Sequence, residues 1–139
     1  MNIKTFTKEW GGRTLKAEVG RYAGHANGSC TLQYGETVVL ATACMSSQTR
    51  DVDFLPLSVE YEERLYAAGR IKGSRFIKKE GRPTDEAVLS GRFIDRAIRP
   101  LFDARVRNEI QVVITVLAFD GENDPDQLGL IAASCALMI

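Results

Sequence analysis

Residues 84–100 have the sequence TDEAVLSGRFIDRAIRP, and residues 109–119 have the sequence EIQVVITVLAF. The first stretch opens on Thr84, a good helix N-cap, and carries acidic residues in its first turn and a proline after its last. This pattern predicts a helix over about residues 84–98. The second stretch is apolar for most of its length, which predicts a buried strand.

The segments around this pair set the fold class. Residues 3–9 and 14–19 alternate polar and apolar side chains on either side of a Gly-Gly turn, which predicts a hairpin. Residues 28–44 contain two β-rich runs, the second predicted to be buried on both faces, and residues 55–61 are a further candidate strand. Residues 124–139 form a last, nearly apolar helix. This order predicts an α+β fold with a mixed sheet packed against helices on one side.

Composition is that of a soluble globular protein, with 139 residues, of which 45% are hydrophobic and 26% charged. The amino terminus lacks the apolar block of a signal peptide, and the longest nearly apolar run, residues 128–139, is shorter than the roughly 20 residues that span a bilayer. We therefore expect a cytoplasmic protein without a membrane partner. The last helix runs to Ile139 without a closing Gly, Lys or Arg, so residues 1–139 are expected to be one domain that is incomplete at its C-terminal end.

Charge is concentrated in one region of a chain with no formal net charge. Residues 70–99 hold nine basic and four acidic residues, a local charge of +5. Three glycines and a proline make residues 69–83 a loop, which we call the basic loop. Its cations are Arg70, Lys72, Arg75, Lys78, Lys79 and Arg82, with Phe76 and Ile77 in the middle. Two interpretations stay open: a single-strand-binding loop that contacts phosphates and stacks a base, or a solvated loop with Phe76 turned into the core.

The predicted helix at residues 84–98 carries Arg92 and Arg96 and is followed by Arg99. At i,i+4 and i,i+3 spacing, the three arginines share one face. Leu89, Phe93 and Ala97 lie on the adjacent apolar face. Like charges at these spacings favour a negative group opposite them. Asp95 is spaced to pair with Arg99, so we expect at least one of the three to be structural. Arg92 and Arg96 are the better candidates for bidentate phosphate contacts.

Other candidate sites have less support. Four carboxylates alternate near the last helix and raise the question of a metal site: Asp120, Glu122, Asp124 and Asp126. Helix capping and a solvated turn are favoured, because Pro125 and the lack of a downstream acidic ligand do not suit a Ca²⁺-binding loop. Trp10, beside the Gly-Gly turn, is expected in the core or at a subunit contact rather than as a base-stacking residue.

Four motifs resemble the bacterial polynucleotide phosphorylase family. They are VEY at 59–61, GRIKGS at 69–74, FIKKEGRP at 76–83 and RFIDRAIRPLF at 92–102. The resemblance covers essentially the whole chain and matches the first of two RNase PH-like domains of that family. It implies an RNase PH-like fold, also described as ribosomal protein S5 domain 2-like, for residues 1–139.

The resemblance also implies an activity and an assembly. The family consists of phosphorolytic 3′→5′ exoribonucleases of mRNA turnover, which degrade RNA with inorganic phosphate as co-substrate to nucleoside diphosphates and require Mg²⁺ (or Mn²⁺). It forms a homotrimeric ring that binds single-stranded RNA, and components of an RNA-degradation complex are further partners. The family often has Phe-Phe-Arg-Arg at its channel constriction, where this chain has Phe76, Ile77, Lys78 and Lys79. With Arg82, Arg92 and Arg96, these residues form the expected RNA-binding set.

Catalysis is expected outside these residues. In active domains of the superfamily, as the resemblance implies, hydroxyl residues at a helix start bind the attacking phosphate, whereas the matching residues 123–126 here include two carboxylates and a proline without an N–H. The metal-binding carboxylates lie beyond Ile139 in the family, so no catalytic or metal-binding residue is expected here. Two alternatives stay open: a single-domain RNase PH or exosome ring subunit with its own active site, and a non-catalytic RNA-binding ring module.

Overall fold

A computed structural model describes residues 3–71, 73 and 81–139, and within this part the chain forms six strands and two α-helices. The strands are β1 (Lys4–Trp10), β2 (Arg13–Val19), β3 (Gly28–Tyr34), β4 (Thr37–Thr49), β5 (Leu57–Glu63) and β6 (Asn108–Ala118). The helices are α1 (Asp85–Ile98) and α2 (Pro125–Met138). Short 3₁₀ turns lie at Leu65–Ala68 and Arg99–Leu101.

The described strands form one mixed sheet in the order β1-β2-β3-β4-β6-β5. Neighbouring strands are antiparallel except β5 and β6, which are parallel, and α1 lies in the crossover that a parallel pair requires. β1 and β2 are joined by a two-residue turn at Gly11 and Gly12, whose φ angles are +60° and +82°. Positive φ at both positions matches the right-handed twist of the strands, which explains the Gly-Gly pair.

Both helices pack on the same face of the sheet. α2 lies across β3, β4 and β6, and α1 lies on β5. A Cβ at Gly129 of α2 would stand 3.1 Å from the Ile114 side chain of β6 and 3.3 Å from that of Ile94 of α1, so the two helices and the sheet meet here without a gap. The most deeply buried core side chains are Leu32, Val39, Ile94, Val112 and Ile114.

The predicted α+β class, with a mixed sheet and helices on one side, is confirmed. α1 and its Thr84 cap match the helix predicted at residues 84–98, and the hairpin is also confirmed. The prediction that the second β-rich run is buried on both faces is wrong. In β4, Val39 and Ala41 are fully buried while Val38 and Leu40 are only half-buried, and β6 alternates in the same way, because the helices cover just one face.

Candidate nucleic-acid interface

The start of α1 is fixed by Thr84. Its hydroxyl oxygen accepts a hydrogen bond from the Ala87 backbone N–H at 3.1 Å and its O–H donates to the Glu63 carboxylate at 2.7 Å. Glu63 ends β5 and Thr84 is the N-cap of α1, so this hydrogen bond joins the two elements that precede and follow the basic loop in the sequence.

The core-facing side of α1 consists largely of small residues. Ala87, Ser90 and Gly91 are buried together with Ile94 and Ile98. A Cβ at Gly91 would stand 3.6 Å from the Tyr61 Cβ, so the helix lies close against β5. The residues predicted to form the adjacent apolar face are exposed instead, with Leu89 64% and Phe93 50% accessible.

Arg99 is a structural residue. Its Nε and Nη2 donate to the two Asp95 carboxylate oxygens at 2.9 and 2.6 Å, and Nη2 also donates to the Leu57 carbonyl oxygen at 2.9 Å. The hydrogen bonds to Asp95 raise the pKa of Arg99. The guanidinium thus ties the end of α1 to the start of β5, which confirms that one of the three arginines has an internal partner.

Arg92 and Arg96 differ from Arg99 in having no partner among the residues that the structure describes. Both are exposed, and neither makes a hydrogen bond or ion pair with another residue in 3–71, 73 or 81–139. They stand one turn apart on a helix fixed by its cap and by its buried face. Two guanidinium groups held this way are available to an external anion, and their planar donors suit phosphate.

Of the remaining predicted RNA contacts, the structure describes Arg82 alone. Arg82 is exposed two residues before the Thr84 cap. Phe76, Ile77, Lys78 and Lys79 lie outside the described residues, so their role stays a prediction. Thr84, the residue that follows their loop in the sequence, is fixed to Glu63 by a hydrogen bond.

The turn before α2 is held by its own carboxylates. Asp120 accepts hydrogen bonds from the backbone N–H groups of Glu36 at 3.1 Å and of Glu122 and Asn123 at 2.9 Å each. The backbone N–H of Asn123, with that of Glu122, holds the pKa of Asp120 well below its usual range. Asp124 caps α2 by accepting from the Asp126 N–H at 3.0 Å. These contacts agree with the predicted capping role, and no group of three or more His, Cys, Asp or Glu side chains in the described ranges is placed to bind a metal.

A polar contact between the two helices was not foreseen from the sequence. The Ser90 hydroxyl of α1 donates to the Asp126 carboxylate of α2 at 2.7 Å. Beside it, the buried Tyr61 hydroxyl makes no hydrogen bond of good geometry with any residue that the structure describes, and burial, followed by the nearby Asp126, raises the pKa of Tyr61. Ser90 and Asp126 are 36 positions apart, so no local pattern could have paired them.

Trp10 does not lie in the core, and that part of its prediction is wrong. Its side chain is 52% exposed because it stands at the end of the edge strand β1. The Tyr34 hydroxyl donates to the Trp10 carbonyl oxygen at 2.8 Å and holds the backbone there. Trp10 lines a cavity of about 370 Å³ together with Leu128 and Ile131 of α2.

The fold and the basic face of α1 define an RNase PH-like unit, and comparison with known proteins agrees. Residues 11–139 match the 3′ exoribonuclease family, domain 1, and the chain belongs to this family. In the part that the structure describes, no helix is long and apolar enough to cross a membrane.

Two similar curated proteins carry the same name. A polyribonucleotide nucleotidyltransferase of Desulforamulus reducens is 58% identical over 129 residues, which cover 93% of this chain and 17% of that protein. One of Rhodopseudomonas palustris is 55% identical over 139 residues, which cover 99% of this chain and 19% of that protein. These matches confirm the resemblance to polynucleotide phosphorylases, for which this is the formal name. The chain spans less than a fifth of the length of these relatives.

Solved structures confirm the fold. An Archaeoglobus fulgidus exosome chain, from a structure with RNA bound to the active site, has a TM-score of 0.63 and 18% identity, and the match covers 99% of this chain and 50% of that one. Rice Rrp46 has a TM-score of 0.67 and 15% identity, and the match covers 89% of this chain and 54% of that one.

Proposed function

We propose that this chain is the N-terminal part of a phosphorolytic 3′→5′ exoribonuclease of mRNA turnover, which degrades RNA with inorganic phosphate to nucleoside diphosphates. Residues 1–139 form its first RNase PH-like domain, which is incomplete at its C-terminal end in this proposal. The observation that carries the proposal is a pair of exposed guanidinium groups, Arg92 and Arg96, on one helix of a 3′ exoribonuclease family chain, neither of which has a partner within the described part of the chain. Two cations one helical turn apart, close in sequence to a basic loop, suit a strand of phosphates better than a single small anion.

The role of this domain in the proposal is to guide RNA. Arg92 and Arg96 bind backbone phosphates, and Arg82 with the loop residues Phe76, Ile77, Lys78 and Lys79 extends the contact along the strand. Cations supply affinity that does not depend on base identity, and an aromatic side chain stacks any base. Both properties suit an enzyme that proceeds through RNA of every sequence.

The chemical step belongs to a second domain in this proposal. Phosphorolysis needs an attacking phosphate held next to the scissile phosphodiester, and the N-terminus of α2 does not fit one, because Asp124 and Asp126 stand there and Pro125 offers no N–H. The described residues also do not fit the Mg²⁺ or Mn²⁺ of the family, since their carboxylates near α2 are engaged in capping the helix and in hydrogen bonds. We therefore derive no catalytic step from these residues.

The proposed assembly is a cytoplasmic homotrimeric ring that binds single-stranded RNA and components of an RNA-degradation complex. The alternative of a single-domain RNase PH or an exosome ring subunit has less support, because the exosome-like structures share only 15–18% identity with this chain, against 55–58% for the polyribonucleotide nucleotidyltransferases. A non-catalytic ring module would bind RNA without degrading it.

The test is phosphate-dependent RNA degradation by the full-length protein. We expect release of nucleoside diphosphates that stops when phosphate is omitted, and none from the 139-residue chain alone. Nucleoside diphosphate release by the isolated chain would contradict the assignment of catalysis to another domain. RNA binding without phosphorolysis by the full-length protein would support the non-catalytic module.

The RNA-guiding role is tested separately through salt dependence. In the full-length protein, replacing Arg92 and Arg96 by Ala should reduce the slope of log affinity against log salt by about 1.4, since each phosphate contact to a single strand contributes about 0.7. Lys78→Ala with Lys79→Ala should have a similar effect. Arg105→Ala is the matched control, because Arg105 is exposed but paired with Asp103. An unchanged slope in the first two variants would exclude phosphate contacts there.

A further inference from the structure

One face of β1 carries alternating lysine and aromatic side chains. These residues are Lys4, Phe6, Lys8 and Trp10, which we call the β1 stripe. Successive side chains on one face of a strand are about 6.6 Å apart, so Phe6 and Trp10 are separated by about 13 Å with Lys8 between them. The stripe lies on the face of the sheet that the helices cover at β3, β4 and β6. The register shows this, because Phe6 pairs with Ala17, Ala17 with Leu32, and Leu32 with Val39 of β4, and directly paired residues share a face.

The aromatic side chains of the β1 stripe are exposed. Phe6 is 60% and Trp10 52% accessible, because β1 is the edge strand and α2 packs on β3, β4 and β6. The Tyr34–Trp10 hydrogen bond fixes the backbone at one end of the stripe. Exposed aromatic rings on a fixed strand are the arrangement that sheet-based RNA-binding proteins use to stack bases.

The lysines of the stripe have no partner within the described part of the chain. Neither Lys4 nor Lys8 makes a hydrogen bond or ion pair with any other residue that the structure describes. The nearby Glu9 lies on the opposite face of β1, where it accepts a hydrogen bond from Thr14. Two free cations and two exposed rings on the same face are complementary to a ligand that combines phosphates with planar bases.

The stripe is well separated from the arginines of α1. β1 and β5 are the two edges of the sheet, five strand spacings or about 24 Å apart, and α1 packs on β5. A ligand that contacts both surfaces must be long and extended.

We propose that the β1 stripe is a second contact surface for single-stranded RNA, on which bases stack against Phe6 and Trp10 and phosphates contact the lysines. This inference rests on RNA being the ligand of the proposed function. At the Trp10 end, the cavity is lined by the Asp124 carboxylate and the Gln127 amide, and the carboxylate can accept from the amino group of a base but would repel a phosphate.

The test measures RNA affinity in the full-length protein with an oligoadenylate of about 16 nucleotides, the upper end of the site size of a single-strand-binding fold. Phe6→Ala and Trp10→Ala should each weaken binding by about fivefold or more, as expected for loss of one stacked base. Lys4→Ala with Lys8→Ala should reduce the salt slope by about 1.4. Thr5→Ala with Thr7→Ala, on the opposite face of the same strand, is the matched control and should leave affinity unchanged.

A chemical comparison at Trp10 separates RNA stacking from a protein contact. Trp10→Phe should retain affinity within about twofold, whereas Trp10→Leu should lose it, because leucine has no π-face. If leucine serves as well as phenylalanine and the aromatic variants change the oligomeric mass by light scattering, the stripe is a protein contact and the proposal is wrong.

Two further measurements keep the proposal falsifiable if a variant misfolds or the proposed function fails. Photocrosslinking of the wild-type protein to 4-thiouridine RNA should label the peptide containing residues 4–10, and absence of label there would overturn the proposal. If the wild-type protein releases nucleoside diphosphates but the stripe variants bind RNA normally, this inference fails alone. If the stripe variants lose RNA affinity but the wild-type protein shows no phosphorolysis, the inference stands and the proposed activity falls.

Discussion

Replacement by alanine should destabilise the fold at Arg99, at the end of α1, but not at Arg92 or Arg96 within the helix. Arg99→Ala removes the bidentate contact with Asp95 and the hydrogen bond to the Leu57 carbonyl oxygen. Hydrogen bonds to charged groups contribute about 1.5–3 kcal/mol each, but the Arg99 side chain is 41% exposed, so water replaces part of each. We therefore expect a loss of about 2–3 kcal/mol in the free energy of unfolding.

Arg92→Ala and Arg96→Ala remove no internal contact among the described residues and should change stability by less than about 0.5 kcal/mol. Urea unfolding followed by circular dichroism measures all three variants under one condition. An Asp95→Ala, Arg99→Ala double-mutant cycle then isolates the coupling between the two side chains, expected at about 1 kcal/mol.

Equal stability of the Arg99→Ala and Arg92→Ala variants would refute the division into structural and ligand-binding arginines. A stability loss in Arg96→Ala as large as that in Arg99→Ala would refute it as well. In either case, weaker RNA binding by the α1 variants would be a consequence of unfolding and not of a lost phosphate contact.

Three further predictions concern the framework of the site. Gly35→Ala should lower the free energy of unfolding by about 2–4 kcal/mol in urea, since φ is +59° and the new Cβ would stand 2.6 Å from the Asn123 amide and 2.9 Å from the Asp120 carboxylate. Gly121→Ala is the control: its φ is +80° but no atom lies within 4 Å of the new Cβ, so the loss should be only about 1–2 kcal/mol. Equal losses in the two variants would contradict the clash at Gly35. Because the pKa of Asp120 is lowered in the folded state, the stability that its carboxylate contributes is present above the unfolded-state pKa near 4 and is lost as pH falls through the folded-state pKa. Asp120→Asn should therefore be less stable than the wild type at neutral pH and should lose less stability on acidification. Parallel profiles of stability against pH for the two proteins would count against this. Tyr61→Phe removes a buried hydroxyl that has no hydrogen-bond partner among the described residues, so thermal unfolding should show stability unchanged or raised by up to about 1 kcal/mol. A clear loss of stability would show that the hydroxyl has a partner, with the Asp126 carboxylate as the nearest candidate.

Local signals were enough to predict α1 and one of its ion pairs. Thr84 and the acidic first turn define the start of the helix, and the i,i+4 spacing of Asp95 and Arg99 predicts their contact. Both features depend on residues within one or two turns of each other, so no knowledge of the tertiary structure is needed.

The face of α1 that enters the core could not be predicted in the same way. Leu89 and Phe93 form an apolar stripe, yet they are exposed, and the helix instead buries the face with Gly91 and Ile94, whose small residues let it lie close against β5. The Ser90–Asp126 contact depends on the same packing. The neighbouring strand decides how large the side chains at a helix–sheet contact can be, and the periodicity of the helix sequence carries no information about that strand.

The hydrogen bond between Glu63 and Thr84 joins the end of β5 to the N-cap of α1, so the elements on either side of the basic loop are tied to each other independently of that loop. Changing the length of the basic loop therefore alters mainly a closure entropy, which grows by only about 0.6 kcal/mol for each doubling of length. Insertions and deletions in this loop should cost the domain little stability, so the length of the loop can vary while the fold is kept.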